Sequence, residues 1–348
     1  MIKIFITFLF ILFQFSSIGQ SKELKKLFSK GKYDQLIEKA QLMLKENASD
    51  SHLNSILGRA YTNSKQFEKA IPYLEKAIEL ENVSDDVRGL SKAYLAKCYF
   101  TRGEKQKAVA YLKECQNGRG SRDANRYANK YLRLFQEDIY YKAWELIESD
   151  SIRFHFQDKK KLKNAGEYMQ KAVVNYNRIV ALLNAMPTKK IDLFIWTDRN
   201  EAFRKLDRQL GFSNADLAIV NVYYAEENEY ELCHMMSNRS LQPKFTSMII
   251  KEGLGVYIDQ NDKNLLQFAR DRVTNDQFSF FELWEEPLKY ERNLSYPVGA
   301  AFIEFLLNKG GKKKLKEFLK NQTIENGEKV YPDFLEWVNV FEAMLVQK

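Results

Sequence analysis

Apolar residues recur through the first half of the chain at three- and four-residue steps, in short blocks separated by polar turns. That spacing predicts amphipathic helices. Three segments echo one another: "GKYDQLIEKAQLML" from Gly31, "KQFEKAIPYLEKAIEL" from Lys65 and "GEKQKAVAYLKEC" from Gly103. The middle unit is the clearest, with Leu57, Gly58 and Tyr61 on a first helix and Ala70, Leu74 and Ala77 on a second. The third unit repeats it with Leu95, Ala96, Tyr99, Ala108 and Leu112, offset by 38 residues because the turn "ENVSDDVR" is longer. A helical pattern then continues from Asp123 to Glu148 through Tyr127, Tyr131, Leu134, Phe135, Ile139, Ala143 and Leu146. From Ile152 the pattern changes. "IRFHF" alternates as a strand, the segment "LKNAGEYMQKAVVNYNRIVALLNAM", ending before Pro187, reads as a long helix, and "IDLFIW" reads as a second strand. A helix "EAFRKLDRQLG" ending at Gly211 and a third strand, "ADLAIVNVYYA", follow, and after that only helices. The expected fold is α+β and mostly helical: a helical array over 20–148, then a small sheet packed on a helical body over 149–348.

The period adds a resemblance. Leu36 and Ala70 lie 34 residues apart, the repeat length of tetratricopeptide units. Small residues at 58 and 70 let two antiparallel helices approach, and Tyr61 and Leu74 fill the groove between units. The resemblance implies a solenoid of about three units with a degenerate first unit and a capping helix. It also implies one of two roles: a groove for a peptide or partner protein, or a spacer.

Composition narrows the setting. The chain has 348 residues and a net charge of +8. Its dense basic runs, Lys159 to Lys163 and Lys312 to Lys316, read as solvated helix ends, so no nucleic-acid partner is expected. Lys3 followed by the apolar run Ile4 to Phe15, with small Ser17 and Gly19 behind it, resembles a cleaved secretory signal over residues 1–19. The expected location is outside the cytoplasm, periplasmic or secreted, with no membrane span after cleavage. Three cysteines at irregular spacing form no disulfide framework. Cys98 and Cys115 read as small buried apolar residues, a bridge between them being the alternative.

The chemistry concentrates in "EYELCHMMSN", on a helix expected after the third strand. Zinc peptidases place H-E-x-x-H on such a helix: two histidines four apart clamp the metal, and the Glu polarises its water. The corresponding positions here are Tyr230, Glu231, Leu232, Cys233 and His234. Eighteen residues after His234 comes Glu252, in "IIKEGLGVYID", on a helix expected over Ser247 to Ile258. A Glu, a Gly and a Tyr (Glu252, Gly253, Tyr257) in this order resemble the third-ligand helix of gluzincins. With "YPVGAAFIEFLLNKGGKKKLKEFL" from Tyr296 as a closing helix pair, the stretch from Ile152 to about Leu319 resembles the peptidase MA-like group of gluzincin metallopeptidases.

The resemblance implies His234 and Glu252 as metal ligands, Glu231 at the general-base position, and Tyr230 where the first histidine belongs. A catalytic zinc needs three protein ligands and an open position. Two ligands hold it poorly, and a phenol with an ordinary pKa near 10 resists ionisation. Three readings follow. The first is an inactive pseudopeptidase that keeps a peptide cleft, with zinc absent or weakly bound. The second is an active zinc metallopeptidase in which Tyr230 or water completes the ligand set and Glu231 acts as base. The third is a scaffold whose repeats recruit an envelope partner. In gluzincins the strand before the motif helix pairs with extended substrate. Carried over, that strand is Asp216 to Tyr224, and backbone pairing there does not need a metal.

Overall fold

The computed structural model describes residues 21–81, 83–117, 122–135, 139–185, 189–207, 209–224, 230–260, 263–274 and 278–346. The expected signal segment, residues 1–19, lies outside them. The chain divides into two units, Met1–Ile139 and Tyr140–Lys348.

The first unit is a run of helices: α1 (residues 21–29), α2 (Tyr33–Glu46), α3 (Ser51–Asn63), α4 (Phe67–Glu79), α5 (Asp85–Thr101), α6 (Lys105–Asn117) and α7 (Arg122–Phe135). Polar caps start two of them: the Asp50 carboxylate accepts from Leu53 N, and Ser84 Oγ accepts from Val87 N. The small positions do what their spacing predicts. Gly58 lies so close to Leu74 that a Cβ there would sit 2.6 Å from Leu74 Cγ. Leu57, Ala70, Leu74, Ala77, Leu95, Ala96, Ala108 and Leu112 are fully buried. A tyrosine ladder repeats along the array. Tyr61 stacks on Tyr73 and Tyr99 on Tyr111, with ring centroids 5.7 and 5.8 Å apart. Gln41 donates to the Tyr61 hydroxyl, and the Tyr99 hydroxyl donates to Glu75, so each first-helix tyrosine is tied to the preceding unit.

The helix expected to run from Asp123 to Glu148 does not. It ends at Phe135, and Glu145–Glu148 is a strand, β1. The turn at 149–151 folds it back: Ser149 N donates to Ile152 O, and Ile152 N donates to Ser149 Oγ. β1 thereby covers the backbone edge of β2 (Ile152–Phe156), edge groups that a helix would have left unpaired.

In the second unit, β3 (Ile191–Trp196), β4 (Phe212–Asn214) and β5 (Ile219–Tyr223) complete a mixed five-stranded sheet of order β1-β2-β3-β5-β4. β2, β3 and β5 are parallel, and the outer strands β1 and β4 are antiparallel to their neighbours. Every residue of β3 is buried, as a central parallel strand requires. α8 (Ala165–Leu183) links β2 to β3, and α9 (Arg199–Leu206) follows β3. Helices α10 (Tyr230–Leu241), α11 (Met248–Asp259), α12 (Leu265–Arg270), α13 (Phe280–Glu285), α14 (Arg292–Leu319), α15 (Ile324–Val330) and α16 (Phe334–Val346) form the body. One sheet face (Phe154, Leu193, Ile195, Val220, Val222) joins Ile179, Met235, Ile250 and Phe302 in a single core. α14 breaks at Gly311, whose φ is 73°, so the expected closing helix pair is two helices meeting at a glycine.

Two expectations around β5 are corrected. The helix expected to stop at Gly211 stops at Leu206, because Asp207 takes a left-handed conformation with φ 56°. The strand expected over Asp216 to Tyr224 spans only Ile219–Tyr223. Residues 215–218 are a turn held by Asn214 Oδ1, which accepts from Leu217 N at 3.1 Å. The turn makes Phe212–Asn214 a partner strand on the flank of β5, so β5 is internal and β4 is the edge.

Candidate functional site

Two helices carry the motif residues. α10 presents Leu232, Cys233, Met235 and Met236 to the core, and its C-terminal half is anchored by Arg239, which donates to Ala215 O at 2.8 Å. α11 is fixed at both ends. Ser247 N donates to Gln322 Oε1 at 3.1 Å at its start. At its end Lys171 pairs with Asp259 at 2.8 Å, and Arg178 donates to Ile258 O. Between the ends, Gly253 lies against Gly299 of α14: a Cβ on Gly253 would fall 2.3 Å from the Gly299 carbonyl carbon. The helices touch backbone to backbone, which only paired glycines permit.

This packing brings His234 and Glu252 together, His234 Nε2 lying 3.0 Å from Glu252 Oε2. The other carboxylate oxygen, Oε1, accepts from Lys251 Nζ at 2.8 Å. Burial by itself raises the Glu252 carboxyl. The hydrogen bond and charge of His234 and then those of Lys251 outweigh it and bring the pKa down to about 2. An ionised carboxylate only accepts, so Nε2 of His234 carries the hydrogen between them. Glu231 goes the other way: burial raises its carboxyl, only partly offset by His234, Lys251 and a hydrogen bond with Ser213 on β4. The Tyr230 ring packs on α11 at Gly255, where a Cβ would come within 3.0 Å of Tyr230 Cδ1.

Tyr230, Glu231, His234 and Glu252 line one cleft of about 950 Å³. Arg199, Asn200 and Phe203 of α9 contribute to its wall, as do residues 209–211 and Arg292 and Tyr296 of α14. The two arginines are exposed at their helix starts. They escaped the motif reading because nothing in their local sequence distinguishes them from other surface cations. Lys251 escaped it as well, although it directly precedes Glu252; adjacent helical residues do not ordinarily face each other. Its long stem makes the contact.

The residues present do not fit a catalytic zinc. Such a site takes three protein donors and an open position, and here there are two, His234 and Glu252. The ammonium of Lys251 also occupies the Glu252 carboxylate. Among the described residues no three His, Cys, Asp or Glu side chains gather as a metal-binding group. His155 does not supply the missing imidazole. It bonds Asp192 Oδ1 at 2.9 Å and stacks on Phe194, and Arg153 holds the other oxygen of Asp192. His52, the remaining histidine, lies on α3 in the first unit.

Comparison with known proteins speaks to the first unit. Residues 52–83, which span α3 and α4, match the tetratricopeptide repeat family. No curated protein matches the chain. The N-terminal unit therefore carries a tetratricopeptide repeat, a helical module whose common role is protein–protein interaction or scaffolding. Among the described residues no helix is long and apolar enough to cross a membrane.

Proposed function

We propose that the protein is an exported peptide- or protein-binding protein whose second unit is a gluzincin-like module that binds without metal chemistry. The observation that carries this reading is the polar chain Lys251–Glu252–His234, whose Glu252 and His234 line the cleft, with Tyr230 in place of the first imidazole. Each hydrogen-bonding oxygen of Glu252 has a protein donor. The arrangement is a finished electrostatic unit rather than a partial coordination sphere.

The sheet supports the same reading with one change. Because β5 is internal, an extended ligand would add to β4, the edge strand whose Ser213 bonds Glu231 and whose neighbour Gly211 lines the cleft. Arg199 and Arg292 suit a carboxylate on that ligand, an acidic side chain or a peptide C-terminus.

The test is elemental analysis of the purified full-length chain together with calorimetric titration of short acidic peptides. We expect less than a tenth of an equivalent of zinc and peptide binding that survives a chelator. One zinc per chain, lost in Glu252→Ala, would overturn this reading; peptide cleavage abolished by Glu231→Gln would then select the active alternative, with His234 and Glu252 as ligands and Glu231 as base. The tetratricopeptide match favours a second reading alongside the first, in which the repeats recruit a protein partner and the cleft module is passive. Partner capture unaffected by Arg292→Ala but abolished by charge reversals on the repeat helices would select it.

A further inference from the structure

Tyr230 explains why a zinc donor is missing. It does not explain what balances the Glu252 carboxylate where no metal is held. Its side chain is only 14% exposed, and a carboxylate so placed needs a compensating partner. In a metal site the cation would supply the compensation. Here the compensating charge is on the chain itself: Lys251 Nζ lies 2.8 Å from Oε1 while His234 holds Oε2 at 3.0 Å. An ammonium on a flexible stem is a compact point charge, and its neighbouring residue offers the nearest anchor for it.

We infer that Lys251 is the built-in counter-cation of this site, standing in for a metal's charge, and that it bars divalent metal independently of Tyr230. The inference rests on the gluzincin-like reading of the cleft. A divalent ion entering at Oε2 would share one carboxylate with a positive charge 2.8 Å from its other oxygen. The ammonium would have to leave. Restoring the histidine at position 230 thus supplies the third donor but leaves the charge conflict in place. Metal exclusion in this cleft is secured twice, by two residues on two different helices.

The experiment uses the full chain with zinc ion as the probe. Affinity is read by competition with a chromophoric chelator, and circular dichroism confirms that each variant is folded. The variants are Tyr230→His alone and combined with Lys251→Met, Lys251→Gln or Lys251→Arg. We expect Tyr230→His to bind weakly. The Met and Gln combinations, which remove the charge in two ways so that one misfolded variant does not decide the matter, should bind one zinc per chain at least about tenfold more tightly. The Arg combination, which keeps the charge, should stay as weak as Tyr230→His. If Tyr230→His alone binds as tightly as the neutral combinations, or if the Arg combination matches them, the role given to Lys251 is overturned while the gluzincin-like reading stands. If the folded neutral combinations bind no zinc, the gluzincin-like reading itself falls and takes this inference with it.

Discussion

Glu231 and Glu252 share one cleft, and their surroundings drive them in opposite directions. Glu252 titrates at about 2, below its ordinary 4.5. A depressed folded pKa stabilises the fold above the ordinary value, and that stability is lost as pH falls from about 4.5 toward 2. Glu252→Gln should therefore destabilise the protein at pH 7 by on the order of 3 kcal/mol. The loss should shrink as the pH falls through that window, which urea melts at pH 7, 4 and 2.5 would follow. For Glu231 the folded pKa is raised by burial, so its ionised form carries a penalty at neutral pH that vanishes below the ordinary carboxylate value. Glu231→Gln should raise the melting temperature at pH 7 and leave it nearly unchanged at pH 4. An unchanged pH 7 melting point would show that the carboxylate is not strained there. That Glu231 and His234 share a helix face was legible from their three-residue spacing; the approach of Glu252, on the next helix, was expected only from the gluzincin resemblance. Lys251 was not legible, because adjacent residues of a helix do not ordinarily face each other and its contact is made through a long, flexible stem.

At the scale of elements, the helices of the repeats and the long strands at 152–156 and 191–196 could be read directly. Each has a strong period or an unbroken apolar run. β1 and β4 could not. Strands of four and three residues, Glu145–Glu148 and Phe212–Asn214, have no room for a pattern. β1 was absorbed into the helical period before it. β4 was hidden behind a helix whose end was fixed by left-handed Asp207 rather than by Gly211. The missed β4 changed the functional picture most, since it moved the free sheet edge away from Ile219–Tyr223. The helix contact at Gly253 and Gly299 makes a sharper prediction. Gly253→Ala pushes a methyl into the backbone of α14, and neither helix can yield locally. The expected loss is about 3 kcal/mol, with the thermal transition falling accordingly. Gly58→Ala meets Cγ and Cδ2 of the Leu74 side chain and, less closely, the Ala70 carbonyl oxygen; a side chain yields more readily than backbone, so its loss should be smaller, about 2 kcal/mol. Equal losses from both would mean that α11 and α14 do not touch as described.

At the scale of the whole molecule, the contacts divide the chain after Ile139, ahead of β1. A fragment beginning at Tyr140 should fold by itself and keep the cleft. Peptide affinity in that fragment should match the full chain and drop about tenfold with Arg292→Ala. An amidated peptide should be insensitive to that substitution if its C-terminal carboxylate is the group held. All three cysteines of the chain, Cys98, Cys115 and Cys233, are buried and form no disulfide. They also make three native clocks. A thiol sealed in a helical interface reacts with an alkylating reagent only when its surroundings open. Cys98 and Cys115 report opening of the repeats, and Cys233, next to His234, reports opening of the cleft helix. Mass-resolved alkylation under native conditions would thus give each unit's opening free energy separately, with no engineered label. Addition of a bound peptide should slow the Cys233 clock and leave the other two running at their own rates.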